Sequence, residues 1–296
     1  MRWIDTHCHL DAPEFGAETQ TQRALAATKG VGHCVLPSIS VNNFDAVREL
    51  AYKNGDSYCL GITPMNVPYA ADDALSRLTA AVQAQHDDPR LMAVGEIGLD
   101  FFVPDLCKSP WRELQQDFFH AQLKLARAFD LPVVVHSRRS VDQILKTMRD
   151  VAVPGGHWQG VVHAFNGSLQ QALAFVKLGM KLGFGGAATY ERARQLRSLV
   201  VGLPLEAIVL ETDSPDMPPR WLYKSAEQRA AGEQQGINSP AELPRIGAEL
   251  AALRGISAEA MAQATTQNAC EAFPRLRALL TADAALGAAQ QRKETT

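Results

Sequence analysis

Short apolar runs that alternate with helical patterns are the feature that most constrains this chain of 296 residues. The core of each run is nearly continuous in apolar residues, as in Val133-Val134-Val135 and Ile208-Val209-Leu210. Strands covered on both faces have this composition, and parallel strands are usually covered in that way. The predicted strands are Trp3–His7, His33–Ser38, Tyr58–Ile62, Met92–Glu96, Pro132–His136, Gly160–Ala164, Lys181–Phe184 and Ala207–Glu211.

The alternation predicts an α/β protein in which eight parallel strands close into a TIM-like (β/α)8 barrel, a fold of typically ~250 residues. No marked change of composition interrupts the pattern, so we expect one domain over residues 1–280. Residues 281–296 are rich in Ala, Gln and Thr and are predicted to be a disordered tail.

Two of the intervening helices can be predicted in detail. Between Glu113 and Phe129, apolar residues recur at intervals of three and four, which indicates a helix with one buried stripe. Ser239-Pro240-Ala241-Glu242 has the pattern of a capping box with proline at the first helical position. The stripe of the first helix consists of Leu114, Phe118, Ala121, Leu125 and Phe129, and that of the second of Leu243, Ile246, Leu250 and Leu253.

Two long connections follow the fourth and eighth predicted strands, at residues 98–111 and 214–239. Both leave the C-terminal ends of strands, where barrels of this kind place their active sites. Long loops in a compact domain are often functional, although a surface insertion without a function is the alternative.

The composition excludes several classes of protein. A net charge of −3 lacks the strongly basic balance of a dedicated nucleic-acid binder, although an enzyme that holds phosphate through metal ions would not need one. The five cysteines are odd in number and lack CxxC spacing, which favours a reducing compartment. No secretory signal or membrane span is evident, so we expect a cytoplasmic protein without an obligate protein partner.

Histidines and carboxylates stand at the ends of the predicted strands. His7 and His9 are two residues apart in an extended segment, so both can face one metal ion, although either could be a core histidine. Asp5 is a candidate to orient one of these imidazoles, or else an ordinary interior carboxylate.

Glu96 ends the fourth strand, where burial without a partner would be costly. A carboxylate that bridges two metal ions would remove that cost, as would a salt bridge to an arginine or lysine. His136 and His163 end the next two strands, and Arg138 shares the face of His136 and can contact a substrate phosphate or carboxylate. Arg139 is expected to point the other way, into solvent.

Asp213 completes the set of candidate ligands after the eighth strand, either as a metal ligand or as the group that takes a proton from water. Glu211, two residues earlier, is a candidate to orient a neighbour or simply a hydrogen-bonded interior residue. Candidate ligands so far apart in the sequence can share one metal site only in a fold that brings the C-terminal ends of many strands to the same side. They are His7, His9, Glu96, His136, His163 and Asp213.

Five motifs occur in order along the chain: Asp-Thr-His-Cys-His, Gly-Glu-Ile-Gly-Leu-Asp, Val-Val-His-Ser-Arg, Val-Val-His-Ala-Phe and Leu-Glu-Thr-Asp-Ser-Pro. The chain resembles the TatD family of metal-dependent hydrolases and deoxyribonucleases. The resemblance implies a barrel of the amidohydrolase type, two divalent metal ions bridged by Glu96, and cytoplasmic hydrolysis of phosphodiester bonds, often by trimming DNA at its 3′ end. It implies that the six residues above are the metal ligands.

One departure from the family pattern concerns the end of the third strand. The family usually has Gly-x-His-Pro there, and this chain has Gly61-Ile62-Thr63-Pro64. Thr63 lies where the family histidine would meet substrate, and threonine can neither carry a positive charge nor act as a general acid near neutral pH. A slower reaction or another substrate is therefore expected.

Metal-assisted ester hydrolysis is the predicted chemistry, with Asp213 accepting a proton and Glu96 shared between the ions. Hydrolysis of an amide, lactone or acyl group is the alternative within enzymes, although many such relatives bridge their metals with a modified lysine on the fourth strand. A poorly active metal-binding interaction protein is the alternative outside them. The ligands suit Zn, Mn, Co or Ni, and Mg if substrate oxygens contribute.

Overall fold

The computed structural model describes residues 2–151 and 154–282, and these contain all eight predicted strands in one sheet. Every adjacent pair is parallel and the order follows the chain. The Thr6 N–H donates to the Leu210 carbonyl at 3.1 Å, which joins the last strand to the first and nearly closes the barrel. The strands are β1 Trp3–Asp5, β2 Val31–Pro37, β3 Ser57–Leu60, β4 Leu91–Asp100, β5 Val133–Arg138, β6 Gly160–Val162, β7 Lys181–Phe184 and β8 Ile208–Leu210.

An α-helix follows each of the first seven strands, and further helices follow β8, so the TIM-like (β/α)8 fold is confirmed. The helices are α1 Thr19–Thr28, α2 Phe44–Asn54, α3 Ala74–Ala84, α4 Trp111–Ala128, α5 Val141–Asp150, α6 Leu169–Lys177, α7 Arg194–Gly202, α8 Ala226–Ala230, α9 Leu243–Arg254 and α10 Ala258–Ala272. Residues 274–282 are also helical.

Helix α4 shows where apolar spacing misleads. Of the predicted stripe only Phe118 is fully buried, and the buried face also carries Gln115 and Gln122. The Gln122 amide pairs with both the N–H and the carbonyl of Ile62, at 2.8 and 3.0 Å. These glutamines are buried because they satisfy loop backbone, which a reading of apolar residues alone does not detect.

The predicted capping box before α9 is wrong in one half. Ser239 Oγ accepts a hydrogen bond from the Ala241 N–H at 3.2 Å, as a cap should. The Glu242 carboxylate instead accepts from the indole N–H of Trp221 at 2.7 Å, so it does not return to the cap. Leu243, Ile246 and Leu250 are buried as predicted, and Leu253 is half-buried.

The bottom of the barrel, at the N-terminal ends of the strands, is filled by the C-terminal helices. Side chains from the barrel interior form one buried cluster with residues of α10 and of the helical segment 274–282. The Asn268 amide donates to the carbonyls of Leu205 and Ile208 at 2.8 and 2.7 Å, which ties α10 to the start of β8. The cluster includes Ile4, Val35, Ala93, Val134, Val161, Val209, Phe273 and Leu276.

The two predicted connections and the predicted tail differ in part from what the structure describes. The first connection is shorter than expected because β4 continues to Asp100, and the second contains α8. Of the predicted tail 281–296, residues 281 and 282 are helical and the remainder lies outside the described residues. Within residues 2–151 and 154–282, no helix has the length and apolar character required to cross a membrane.

Candidate metal centre

The six predicted ligands converge at the top of the barrel, where the C-terminal ends of the strands meet. The Asp213 N–H donates to the His7 carbonyl at 2.9 Å, which brings the segments after β8 and β1 side by side. The His163 N–H donates to the Val135 carbonyl at 3.0 Å, so the segment after β6 lies against β5. Five separated stretches thus meet in one place.

The first donor group consists of His7, His9, Asp213 and the Oε2 atom of Glu96. His7 Nε2 lies 3.1 Å from His9 Nε2, 3.5 Å from Glu96 Oε2 and 3.4 Å from Asp213 Oδ1. His9 Nε2 lies 3.6 Å from Glu96 Oε2 and 3.7 Å from Asp213 Oδ1. Both imidazole nitrogens therefore lie close to both carboxylates.

The second donor group consists of His136, His163 and the Oε1 atom of Glu96. Glu96 Oε1 lies 2.9 Å from His136 Nδ1 and 3.0 Å from His163 Nε2, and these two nitrogens are 3.2 Å apart. The two oxygens of one carboxylate thus serve the two groups. The rings of His7 and His163 stack with centroids 3.9 Å apart and bring the groups together.

The spacing of these atoms fits divalent metal ions. Tetrahedral ligands about 2.1 Å from a zinc-like ion are about 3.4 Å from one another, and the five distances that join His7 and His9 to each other and to the two carboxylates are 3.1 to 3.7 Å. The second group offers only three atoms, which leaves positions for water or substrate. The chain therefore has His, Asp and Glu groups able to bind metal.

A third set of possible ligands, Asp5, Cys8 and Cys34, fits a metal poorly. The Asp5 carboxylate already accepts hydrogen bonds from the hydroxyl and N–H of Thr212, at 2.6 and 3.0 Å. Burial raises the pKa of the Cys8 thiol, so the thiolate that would bind a metal is disfavoured. Asp5 therefore supports the backbone of the segment that carries Asp213. Its hydrogen bonds go to Thr212 and to the His7 N–H, at 3.3 Å, and not to an imidazole, as the first of the two predictions for it had expected.

Glu96 is a buried carboxylate surrounded by imidazoles. Burial acts to raise the pKa of its carboxyl group, but His163, His136 and His7 outweigh that effect and hold the pKa well below its ordinary value. For His163, burial acts to lower the pKa, and the Glu96 carboxylate outweighs it and raises the pKa. A buried negative charge is thus stabilised by imidazoles at the place where cations would stabilise it further.

Asp213 is held in an uncommon backbone conformation. Its φ is +54°, a region that non-glycine residues rarely adopt and that is often found at functional sites. Burial raises the pKa of its carboxyl group above the ordinary value. Both properties suit a group that accepts a proton.

Glu211 lies beneath these residues and is buried. One carboxylate oxygen accepts a hydrogen bond from the Ala164 N–H, which fixes the backbone after His163. Burial raises the pKa of Glu211 to about 8. A β-carbon at Gly183 would lie 2.1 Å from the other oxygen, so only glycine leaves room for this carboxylate.

Asp100 is a residue of the site that the sequence analysis missed. Its Oδ2 atom lies 3.1 Å from His136 Nε2. When that nitrogen carries a proton, Nδ1 is left free for the second donor group. The signal was available, since Asp100 is four residues after Glu96 in the same strand and therefore shares its face. Gly98 permits the contact, because a β-carbon there would lie 2.0 Å from the His136 carbonyl oxygen.

The predicted substrate contacts lie in different surroundings. Arg138 is half-exposed beside the site, and its Nη1 atom lies 3.9 Å from Asp100 Oδ2. Arg139 is exposed, as predicted. The prediction that it points the other way from Arg138 is wrong, because its φ of +55° interrupts the strand alternation and both guanidinium groups lie over the Phe102 ring. Thr63 is buried, and its hydroxyl accepts a hydrogen bond from the Asn66 amide at 3.0 Å.

The fold and these donor groups are those of a metal-dependent hydrolase built on a (β/α)8 barrel. The family model described as TatD related DNase matches residues 4–274, and the chain belongs to this family. An uncharacterised metal-dependent hydrolase of Escherichia coli K12, YjjV, is 40% identical over 273 residues, which are 92% of this chain and 98% of that protein.

Two further comparisons extend the likeness. The crystal structure of E. coli YjjV, a TatD homologue, has a TM-score of 0.81 at 39% identity and covers 92% of this chain and 98% of that one. Human TATDN3, named a deoxyribonuclease, is 31% identical over 283 residues, 94% of this chain and 96% of that protein. The family and the fold are thus shown, whereas the roles of individual site residues stay predictions.

Proposed function

We propose that this protein is a cytoplasmic metal-dependent phosphodiesterase that trims DNA from its 3′ end. The observation that carries the proposal is Glu96, whose two carboxylate oxygens face two separate groups of donors. Two cations side by side are suited to the in-line displacement of a phosphodiester. The deoxyribonuclease name of the human relative and the family description support DNA as substrate.

Each side chain has a proposed role. His7, His9 and Asp213 would hold one ion, His136 and His163 the other, and Glu96 both. Ions bound there lower the pKa of water and polarise a phosphoryl oxygen. The metal could be Zn, Mg, Mn, Co or Ni, because both imidazole and carboxylate ligands are present.

Asp213 is the proposed proton acceptor for the attacking water. Its pKa is raised by burial, which brings it nearer to the working pH and makes it a better general base. The adjoining imidazoles hold its carboxylate in position, since His7 and His9 lie within 3.7 Å.

Arg138 is the proposed contact for the phosphate under attack, because it is half-exposed at the rim beside His136. Thr63 has its hydroxyl engaged with Asn66 and supplies no acid for the leaving sugar oxygen. That oxygen would take its proton from solvent, so we expect turnover to be slower than in relatives with a histidine at this place.

The five cysteines support a reducing compartment, since all are free thiols.

Digestion of 3′-labelled single-stranded DNA across a series of divalent metals tests the proposal. EDTA should abolish turnover and added metal should restore it. Glu96→Ala should lose both metal and activity, with the bound metal counted by elemental analysis of the folded protein. Full activity of that variant, or cleavage of acyl substrates in place of phosphodiesters, would overturn the proposal.

A further inference from the structure

Two arginines and one phenylalanine form a cluster beside the candidate metal centre. The guanidinium carbon of Arg138 lies 3.7 Å from the centre of the Phe102 ring, and that of Arg139 lies 4.7 Å from it. Phe102 is 43% exposed, so the ring lies at the surface rather than in the core. One aromatic ring thus contacts two cations.

The cluster is connected to the site by a short chain of contacts. Asp100 Oδ1 accepts hydrogen bonds from the N–H groups of Phe102 and Val103, at 2.7 and 3.0 Å. Its other oxygen contacts His136 at 3.1 Å and Arg138 at 3.9 Å. The position of the Phe102 ring is therefore set by the same carboxylate that faces a candidate metal ligand.

The backbone of Arg139 provides an independent observation. Its φ of +55° is uncommon for a residue with a side chain, and such conformations concentrate at functional sites. With regular strand geometry, its side chain would point to the face opposite that of Arg138. The observed conformation instead brings both guanidinium groups to one ring.

The surface beyond the cluster continues as a concavity of about 450 Å³ that Arg139, Arg112 and Phe101 help to line. Arg112 lies over the Phe101 ring at 4.1 Å, so a third arginine is held by a second aromatic ring. Asp142 also lines the concavity, and its carboxylate accepts a hydrogen bond from Gln171 at 2.8 Å. Two arginines and one carboxylate therefore line this concavity.

From these contacts we infer that Arg139, held by the Phe102 ring, forms a preorganised subsite for the phosphate next to the one under attack, which Arg138 contacts. This inference rests on the proposed phosphodiesterase function and narrows its substrate to a polynucleotide chain. A guanidinium held by an aromatic ring loses little freedom when it binds phosphate, so the subsite binds a second charge at low entropic cost. An isolated phosphodiester reaches only the metal centre and does not use Arg139.

Phe102 is thus a positioning residue, which affects substrate binding by holding the two guanidinium groups. Arg139→Ala should raise KM for a single-stranded oligonucleotide roughly tenfold and leave turnover of bis(p-nitrophenyl) phosphate unchanged. Phe102→Ala should raise the oligonucleotide KM at least as much and also slow the small diester, because it releases Arg138 as well. The double variant should be no worse than Phe102→Ala by more than about twofold, because neighbours in one network are not additive. Phe102→Tyr should restore oligonucleotide binding. Tyr69→Ala is the matched control, because Tyr69 is an aromatic residue that is 85% exposed at the same end of the barrel.

Binding without catalysis provides a second measurement. Anisotropy of a labelled DNA oligonucleotide, titrated with protein in EDTA, gives Kd at several salt concentrations. Loss of one phosphate contact in Arg139→Ala should reduce the salt slope by about 0.7 for a single strand. RNA of the same sequence should show the same change, since the subsite binds the phosphate shared by both.

The outcomes separate the two proposals. If the wild-type protein cleaves neither DNA nor bis(p-nitrophenyl) phosphate, the phosphodiesterase function fails, and the binding measurement still decides the subsite. If the wild-type protein cleaves both substrates but Phe102→Ala and Arg139→Ala bind oligonucleotide as tightly as Tyr69→Ala, the subsite is refuted. Equal losses on the oligonucleotide and the small diester in Arg139→Ala would also refute it, as would a change confined to DNA or to RNA.

Discussion

At the scale of single residues, Asp100 contacts both a candidate metal ligand and the connection that follows β4. One of its oxygens faces His136 Nε2 at 3.1 Å, and the other accepts from the backbone of Phe102 at 2.7 Å. For Asp100, burial acts to raise the pKa, but hydrogen bonds from His136, Val103 and Phe102 outweigh it, so the pKa is lowered. The carboxylate is thus stable as an acceptor for the histidine.

Replacing Asp100 with asparagine should weaken metal binding without unfolding the protein. An amide that turns its NH2 toward His136 would oppose a second donor, and the ring would lose its orientation. Loss of such a supporting contact typically lowers metal affinity about 10- to 100-fold. Competition with a chromophoric chelator measures the affinity directly.

Asp105→Asn is the control for that measurement, because Asp105 is an exposed residue of the same connection that pairs with Lys108 at 2.8 Å. Both variants remove one negative charge. An equal loss of affinity in the two would mean that general charge, and not the contact with His136, explains the effect.

At the scale of the elements, helix α4 fixes the ends of two neighbouring strands through buried amides. Gln122 pairs with the backbone of Ile62 after β3. Gln115 accepts from the Asp100 N–H at 2.9 Å and donates to the Leu106 carbonyl at 2.8 Å. The helix therefore supports both the fold and the position of Asp100.

Gln122→Leu should destabilise the protein by roughly 2 kcal/mol or more, because it leaves a buried N–H and a buried carbonyl of Ile62 without partners. Gln116→Leu is the matched control, since the Gln116 amide donates only to a carbonyl of its own helix, that of Arg112. Denaturant unfolding followed by circular dichroism gives both free energies. Similar values for the two variants would contradict the role assigned to the buried amide.

Parts of this architecture follow from the sequence for clear reasons. Apolar runs indicate burial on both faces, so the eight strands and their order were predictable. Polar residues at the strand ends indicated which side chains lie together at the top of the barrel. Gln115 and Gln122 were not predictable from apolar spacing, because their burial depends on partners far along the chain. Arg139 was misplaced because alternation holds only within a strand, and β5 ends at Arg138.

At the scale of the whole molecule, the two ends of the barrel differ in composition. Titratable residues lie at the top, whereas the bottom is closed by an apolar cluster that contains Phe273 and Leu276. Phe273 is fully buried there. Stability and chemistry are therefore separated along the barrel axis, as is usual for this fold.

Phe273→Ala should cost about 3–5 kcal/mol of stability through the cavity that it leaves. Turnover of the fraction that remains folded should match that of the wild-type protein at a temperature well below its melting transition. Thermal unfolding and initial rates on the same sample provide the comparison. A variant of normal stability, or one that is stable but inactive, would contradict this separation.

Metal binding should release protons and grow stronger as the pH rises. In the metal-free protein, the Glu96 carboxylate outweighs burial and raises the pKa of His163, so its ring retains a proton at neutral pH. A ligand nitrogen must lose that proton before it binds a cation. Below the raised pKa, affinity should therefore fall by about tenfold per pH unit for each proton released. Titration calorimetry in two buffers with different ionisation enthalpies counts the protons, and a heat that is independent of buffer would show that none is displaced.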